Sequence, residues 1–324
     1  MMKRVQAILA ALALSACFGT AAFAAFPDRP VRLIVPFAAG GVTDLAARLI
    51  GQQLSAKWGQ PVVIENRPGA GGLLGVDAVI RSPADGYTIL MSTNGEVVIH
   101  PALSRKPKFD PLTDLVPISV VTSTPYAWAA NVSSGPNSLA DLVAIAKVKP
   151  DNLMYPSAGI GSTMHLATEQ FASAAGVKML HVPYKGGAPA ATALTAGEVP
   201  AGLVALSAVT PLVESGRARL LAVTSTTRSK MLPNVPTVVE TGVLKEFQAS
   251  IWTALFVPRG TPDDIAAKIR ADAVEALKNS ALLEKLAAVG TDPGDVAGAQ
   301  LVERIKREIS EISKLAKEAN ITLE

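Results

Sequence analysis

Three glycine-rich segments hold most of the residues in this 324-residue chain that could do chemistry. The first runs Pro36-Phe37-Ala38-Ala39-Gly40-Gly41-Val42-Thr43-Asp44. Its glycines let the backbone turn N–H groups outward, and a helix start behind them adds partial positive charge, which suits an anion. Asp44 or Thr43 reads as the helix cap, since a carboxylate aimed at an anionic ligand would repel it. A plain capped strand–helix turn is the competing reading. No Gly-Lys-Ser/Thr follows and the GxGxxG spacing is absent, so this is not a nucleotide loop. The second segment, Ser157-Ala158-Gly159-Ile160-Gly161-Ser162-Thr163-Met164-His165, gathers N–H groups, hydroxyls and a helix start, an arrangement for receiving a carboxylate. Ser162 and His165 also share a helix face as a nucleophile and base would. Against that, no G-x-S-x-G elbow surrounds Ser162 and no acid is placed to orient the imidazole. The third segment, from His181 to Pro189, offers Lys185 to neutralise an anion and Tyr184 to close over it. A solvated lysine and a packed tyrosine are the plainer alternatives there. Ser92-Thr93-Asn94 adds donors at a strand end, or is an ordinary polar turn.

These loops need a frame, and the hydrophobic pattern supplies an alternating one. Val31–Val35, Val62–Glu65, Tyr87–Ser92, Ala127–Val132, Leu153–Pro156 and Met179–Val182 read as strands. Helices are expected at Thr43–Trp58, Leu73–Arg81, Leu139–Val148 and Ser162–Ala175, the first burying Leu45, Leu49, Ile50, Leu54 and Trp58. Such alternation implies open α/β sheets with helices on both faces. After strand Ile251–Val257 the pattern turns helical: Pro262–Leu277, Ala281–Val289 and Asp295–Ala319, the last with a stripe of Leu301, Val302, Ile305, Ile309, Ile312 and Leu315. Two α/β units and a helical cap suit a bilobed chain that crosses between lobes near 123–128 and 248–254. Lobe 1 would hold 25–125 and 251–324, and lobe 2 would hold 126–250. The cleft between lobes is the expected ligand site.

Composition narrows the function. Hydrophobic residues make up 49%, aromatic residues 5%, and the net charge is +3 without a basic tract, which argues against a nucleic-acid partner. One cysteine and three scattered histidines (His100, His165, His181) offer no metal site and no internal disulfide. No cofactor motif is present. The N-terminus is laid out as an export signal: Lys3 and Arg4, an apolar run Val5–Leu14, then Ala22-Phe23-Ala24 as a cleavage site. The apolar run is about half of the roughly 20 residues a membrane span needs. Leu14-Ser15-Ala16-Cys17 also fits a lipobox, which would make Cys17 a lipidated first residue. By either route the protein is expected to be exported.

In their order along the chain, FPDRPVRLIVPFAAGGVTDLAARLI, VVIENRPGAGG, SPADGYTIL, AGIGSTMHLATEQF, HVPYKGGAPA and RLLAVTS resemble the Bug receptors, the periplasmic solute-binding proteins of tripartite tricarboxylate transporters. The resemblance covers nearly everything after Pro27. It implies a two-lobed periplasmic binding protein fold of type II character, each lobe a sheet flanked by helices, closing on its ligand like a flytrap. It implies a small carboxylate ligand (di- or tricarboxylate, acidic amino acid or aromatic acid), no catalysis, and membrane transporter subunits as partners of a monomeric receptor. Carried over, Ala39, Gly40, Gly41 and Thr43 hold a carboxylate through N–H groups and waters, with Ser157, Gly161, Ser162 and His165 around it from lobe 2. Where many relatives carry Gly-Gln-Val-Asp, this chain has Gly197-Glu198-Val199-Pro200. The stretch after it offers only Ser207 and Thr210 as polar side chains, and no acid for an ammonium group unless Asp85 or Glu96 reaches the cleft. That favours a carboxylate over an amino acid. An exported esterase using Ser162 or Ser157, or a sensor for a signalling partner, are the alternatives.

If backbone donors in the first loop carry the binding, Gly41→Val is expected to lower ligand affinity more than Lys185→Ala, measured by calorimetry. The reverse ranking would show that side-chain charge dominates.

Overall fold

The structure, a computed structural model, describes residues 26–40, 42–148, 153–184, 186–208, 210–288, 290–318 and 321. The expected cleavage site at Ala24 and the alternative at Cys17 lie outside these residues, as do Gly41 and Lys185.

The apolar run VRLIV forms β1 (Val31–Val35), with β2 (Val62–Asn66) and β3 (Thr88–Thr93) parallel on either side. Helix α1 (Val42–Trp58) follows β1, and α2 (Leu73–Ile80) follows β2. After β3 come a π-type turn at Gly95–Ile99 and the short α3 (His100–Leu103). Strand β4 (Leu115–Asn131) then runs 17 residues. The middle of the chain gives α4 (Leu139–Val148), β5 (Met154–Ser157), α5 (Thr163–Ala175), β6 (Leu180–Pro183), α6 (Gly187–Ala196), β7 (Ala201–Ala205), α7 (Thr210–Glu214) and β8 (Ala218–Val223). The chain closes with β9 (Ser250–Pro258), α8 (Asp263–Ala276), α9 (Ser280–Ala288), β10 (Asp292–Pro293) and α10 (Ala299–Glu318).

One lobe is built on the order β10-β4-β9-β3-β1-β2. Alternation sends Val31, Leu33 and Val35 of β1 to a core with Ala47, Ile50, Leu54 and Ile269, while Ile34 packs on the other face with Val76, Trp252, Leu301 and Ile305. Both faces are therefore covered by helices, which is why β1 is almost uniformly apolar. The other lobe begins where β4 changes partners. Up to Pro125 it pairs with β9, and from Tyr126 onward it pairs with β7 and β8. Strands β5 and β6 form a separate parallel pair, and Trp128, Tyr155 and Phe171 fill this lobe's core.

Four expectations are corrected. The sheets are mixed and joined: a single long β4 serves both lobes, where the sequence suggested a strand only from Ala127. Its first half escaped notice because Pro117, Thr122, Ser123, Thr124 and Pro125 dilute the apolar signal. Strands β7 and β8 were not expected either, being rich in alanine and glycine or flanked by arginines. Leu45 is 37% exposed, since α1 approaches the sheet through the small Ala46 and Ala47 instead. The last helix starts at Ala299, four residues late, because the segment before it is bound to the edge of β4: Val120 N–H donates to Val296 O and Gly298 N–H to Ile118 O.

The lobes also touch through one apolar contact. Leu166 on α5 is buried with Ile99 and Leu103 from beyond β3 and Ala316 and Ile321 at the C-terminal end. Truncating a buried leucine costs roughly 2–5 kcal/mol, here drawn from the contact that holds the lobes together. Leu166→Ala is therefore expected to raise the radius of gyration measured by small-angle scattering. Unchanged scattering would show that the hinge strands alone fix the lobe separation.

Candidate functional site

The carboxyl ends of β1, β2 and β3 lie at one edge of their lobe, and that edge faces the other lobe. Asn94, just past β3, donates through Nδ2 to the Ser250 carbonyl at 3.1 Å, beside the point where β4 passes between lobes. In the second lobe, Tyr126 at the start of the crossing donates to Thr163 Oγ1 at 2.6 Å, which holds the start of α5 against the boundary. The residue after β3 and the start of α5 thus both lie beside the hinge.

In the first turn, Asp44 organises the geometry. Its carboxylate accepts the Gly40 N–H at 2.9 Å, the Arg48 guanidinium at 2.9 Å and the Asn66 amide at 2.9 Å. Asn66 also donates to the Phe37 carbonyl, bracing the turn from β2. Burial works to raise the Asp44 pKa, but the bonds from Arg48, Gly40 and Asn66 outweigh it and hold the carboxyl below its ordinary range. Gly40 takes φ +87°, a conformation that glycine adopts without strain. Its N–H points inward, so Gly40 shapes the turn and does not offer that donor outward. Among the described residues, no acceptor takes the N–H of Thr43 or Asp44, the groups at the open end of α1. Ala39 and Gly40 are exposed and Thr43 is buried.

Thr93 turns away from the boundary. Its N–H and hydroxyl, with the Ser92 hydroxyl, all donate to Glu96 Oε2 at 2.8–2.9 Å. Glu96 is buried, and burial pushes its pKa up against those donors. It packs so close to Gly72 that an added Cβ there would lie 2.8 Å from Glu96 Cγ, so Gly72 is required to be glycine. Asp85 lies at the opposite end of β3, paired with Arg29 at 2.9 Å, and does not reach the boundary.

The second turn repeats the device with different chemistry. The Gly161 N–H donates to His165 Nδ1 at 3.1 Å, again to a side chain four residues on. The Ser162 hydroxyl accepts the His165 N–H at 3.3 Å as the cap of α5. Ser162 and His165 therefore do not form a nucleophile–base pair. Ser157 sits 2.6 Å from His181 Nε2 and accepts the Gly159 N–H at 3.0 Å. His165 and His181 stack with centroids 3.8 Å apart and planes 9° from parallel, with Tyr155 stacked beside them. Burial and the neighbouring His181 pull His165 down to about 4, and burial lowers His181. Both shifts favour the neutral ring. The N–H groups of Thr163 and Met164 have no acceptor among the described residues.

Two other expected residues stand apart. Tyr184 is tied to the second turn by its N–H, which donates to the Ser157 carbonyl, but its hydroxyl points to Glu198 at 3.2 Å and does not close over the turn. Ser207 follows β7, and its backbone nitrogen would lie 3.3 Å from a Cβ added to Gly290. The sequence missed His181, Tyr155 and Glu169. Tyr155 and Ser157 alternate onto one face of β5, and parallel pairing sets Tyr155 opposite His181, a signal that needed the β5–β6 register.

A groove of about 910 Å³ opens between α5 and α10 over the hinge strand. Of the expected residues that the structure describes, only Asn94 lines it; Thr163, Leu166, Trp252, Arg304 and Glu308 also do. Arg304 is occupied within the groove by Glu308 at 2.7 Å and lies over the Trp252 ring. Among the described residues, no cluster of histidine, cysteine and acidic side chains could hold a metal ion, and no helix is long and apolar enough to cross a membrane.

The model of the tripartite tricarboxylate transporter family receptor (TctC) matches residues 46–321. Protein BugT of Bordetella pertussis is 39% identical over 269 residues, spanning 83% of this chain and 82% of its own. Among solved structures, R. palustris Rpa4515 with adipate superposes with a TM-score of 0.81 at 37% identity, covering 92% of this chain and 99% of that one. MatC from Rhodopseudomonas palustris with bound malate gives 0.76 at 32% identity, covering 90% and 99%. The chain belongs to the tripartite tricarboxylate transporter family of receptors, with the two-lobed α/β fold of the periplasmic binding proteins.

Proposed function

We propose that this protein is a periplasmic receptor that captures a small carboxylate between its lobes and hands it to the membrane subunits of a tripartite tricarboxylate transporter. The ligand class is a di- or tricarboxylate or an aromatic acid. The observation that carries the reading is the pair of open helix starts at the lobe boundary, Thr43–Asp44 on one side and Thr163–Met164 on the other. Unpaired N–H groups at a helix start attract an anion through both hydrogen bonding and the helix dipole. Relatives at 37% and 32% identity carry adipate and malate, which supports a dicarboxylate here. An amino acid is disfavoured at the two helix starts: Asp85 is bound to Arg29 and Glu96 is held by Ser92 and Thr93, while Glu303, Glu308 and Glu311 line the groove along α10 instead, Glu308 being paired with Arg304.

In this reading the lobes divide at 125/126 and 250/251, where β4 exchanges β9 for β7 and β8. The mature chain begins after Ala24, with lipidation at Cys17 as the alternative, and acts as a monomer. Ala39, Gly40, Thr43, Asn94, Gly161 and Ser162 border the ligand, with Ser157 supporting the second turn from behind. No catalysis is proposed, because Ser157 is fully buried and the Ser162 hydroxyl is engaged in capping.

Titration calorimetry with succinate, malate, adipate, citrate, benzoate and glutamate tests this. At least one carboxylate is expected to bind at about 10 μM or tighter and glutamate at least about tenfold more weakly, a gap of roughly 1.4 kcal/mol. No heat from any acid, or turnover of simple esters that Ser157→Ala or Ser162→Ala abolishes, would overturn it.

A further inference from the structure

Resting on that reading, we propose that His165 is a positioning residue for carboxylate binding: as a neutral acceptor, clamped by stacking on His181, it holds the second-lobe turn with its free amides toward the ligand. Gly161 has φ +72°, which directs its N–H back to His165 Nδ1 at 3.1 Å. That bond fixes the tautomer, since a nitrogen that accepts carries no hydrogen and the proton resides on Nε2. His181 does the matching work from β6. Its Nε2 lies 2.6 Å from Ser157 Oγ, which takes the Gly159 N–H. The stacked rings thus draw the Gly159 and Gly161 amides inward and leave Thr163 and Met164 open.

The first turn uses an ionised acceptor, Asp44, neutralised by Arg48. The second uses a neutral one, and the difference has a consequence. A proton on His165 Nδ1 would set donor against donor at Gly161 and release the turn. The groups facing His165 do not favour that proton. Tyr155 from β5 has its hydroxyl on Glu169, and His181 from β6 would repel a second charge. Strand β7 (AGLVA) brings no titratable side chain. Across the groove, Arg307, Glu308 and Glu311 of α10 face the stripe Thr163, Leu166, Ala167 and Gln170, which helical spacing sets on the opposite side of α5 from His165. The folded-state pKa is depressed from 6.5 to about 4. The neutral ring's contribution is therefore complete above about pH 6.5 and is lost as pH falls toward 4.

Two measurements on the full chain test this. The first is long-range ¹⁵N spectroscopy of the imidazoles, of which the chain has only three. His165 is expected as the Nε2–H tautomer, titrating below about pH 5; an Nδ1–H tautomer or an ordinary midpoint overturns the proposal whether or not carboxylates bind. The second is calorimetry with malate and adipate on wild type, His165→Asn and His165→Leu at about pH 7 and about pH 3.5. Asparagine Oδ1 replaces Nδ1 as acceptor and does not titrate. At pH 7, His165→Leu is expected to weaken binding about tenfold or more and His165→Asn by less than about threefold, as loss of one buried acceptor implies. The wild-type to His165→Asn affinity ratio, in which the probe's own titration cancels, is expected to fall at least about threefold by about pH 3.5, below the folded-state pKa. Leucine binding as wild type, or a flat ratio, overturns the proposal. If His165→Leu does not fold, the ratio decides; if neither probe binds, the carboxylate reading fails and the tautomer measurement still decides this one.

Discussion

A main-chain N–H can be offered to an anion only where the turn that carries it is held from behind by other acceptors. Both glycine turns here meet that constraint in the same way. A side chain four residues into the helix reaches back to the glycine amide, Asp44 to Gly40 and His165 to Gly161. The inward bond fixes the turn and leaves the next amides open at the helix start. Rigidity is the gain: donors held in place before the ligand arrives lose little freedom on binding it. In the proposed reading the site is made of backbone, with side chains acting mainly as supports.

The charged side chains of the boundary are gathered along α10, where Glu303, Arg304, Arg307, Glu308 and Glu311 line the groove. Arg48 neutralises Asp44, and Arg304 is engaged by Glu308 over the Trp252 ring. A carboxylate held by amides and dipoles is not locked to one geometry of guanidinium, so acids of differing length suit the same frame. The frame itself is mechanical. Strand β4 belongs to both lobes, β9 lies beside its crossing, and Leu166 closes the gap from the other side. A ligand touching both turns makes all its contacts only when the lobes are together, which is how binding shifts the population toward closure.

Much of the scaffold is legible in the sequence. Apolar runs such as VRLIV and amphipathic helices such as α4 are specified locally, and their bounds follow from periodicity. Strand β4 was half hidden because prolines and hydroxyls in its middle break the apolar pattern, while neighbours distant in sequence supply its hydrogen bonds. The three glycine turns announce themselves, yet their donors do not. Nothing local says that Gly40 and Gly161 turn inward, since that depends on Asp44 and His165 folding back over the helix starts. His181 lay within a recognised segment and was still missed, because its role comes from the register of β6 on β5. Pairing across parallel strands is the information a single sequence withholds.

A crystal structure of the protein with malate or adipate tests the central claim most directly. The account predicts carboxylate oxygens within about 3 Å of the Thr43 or Asp44 N–H on one side and of the Thr163 or Met164 N–H on the other, directly or through one water. A ligand held by arginine side chains in the groove along α10, with both helix starts unengaged, would contradict it.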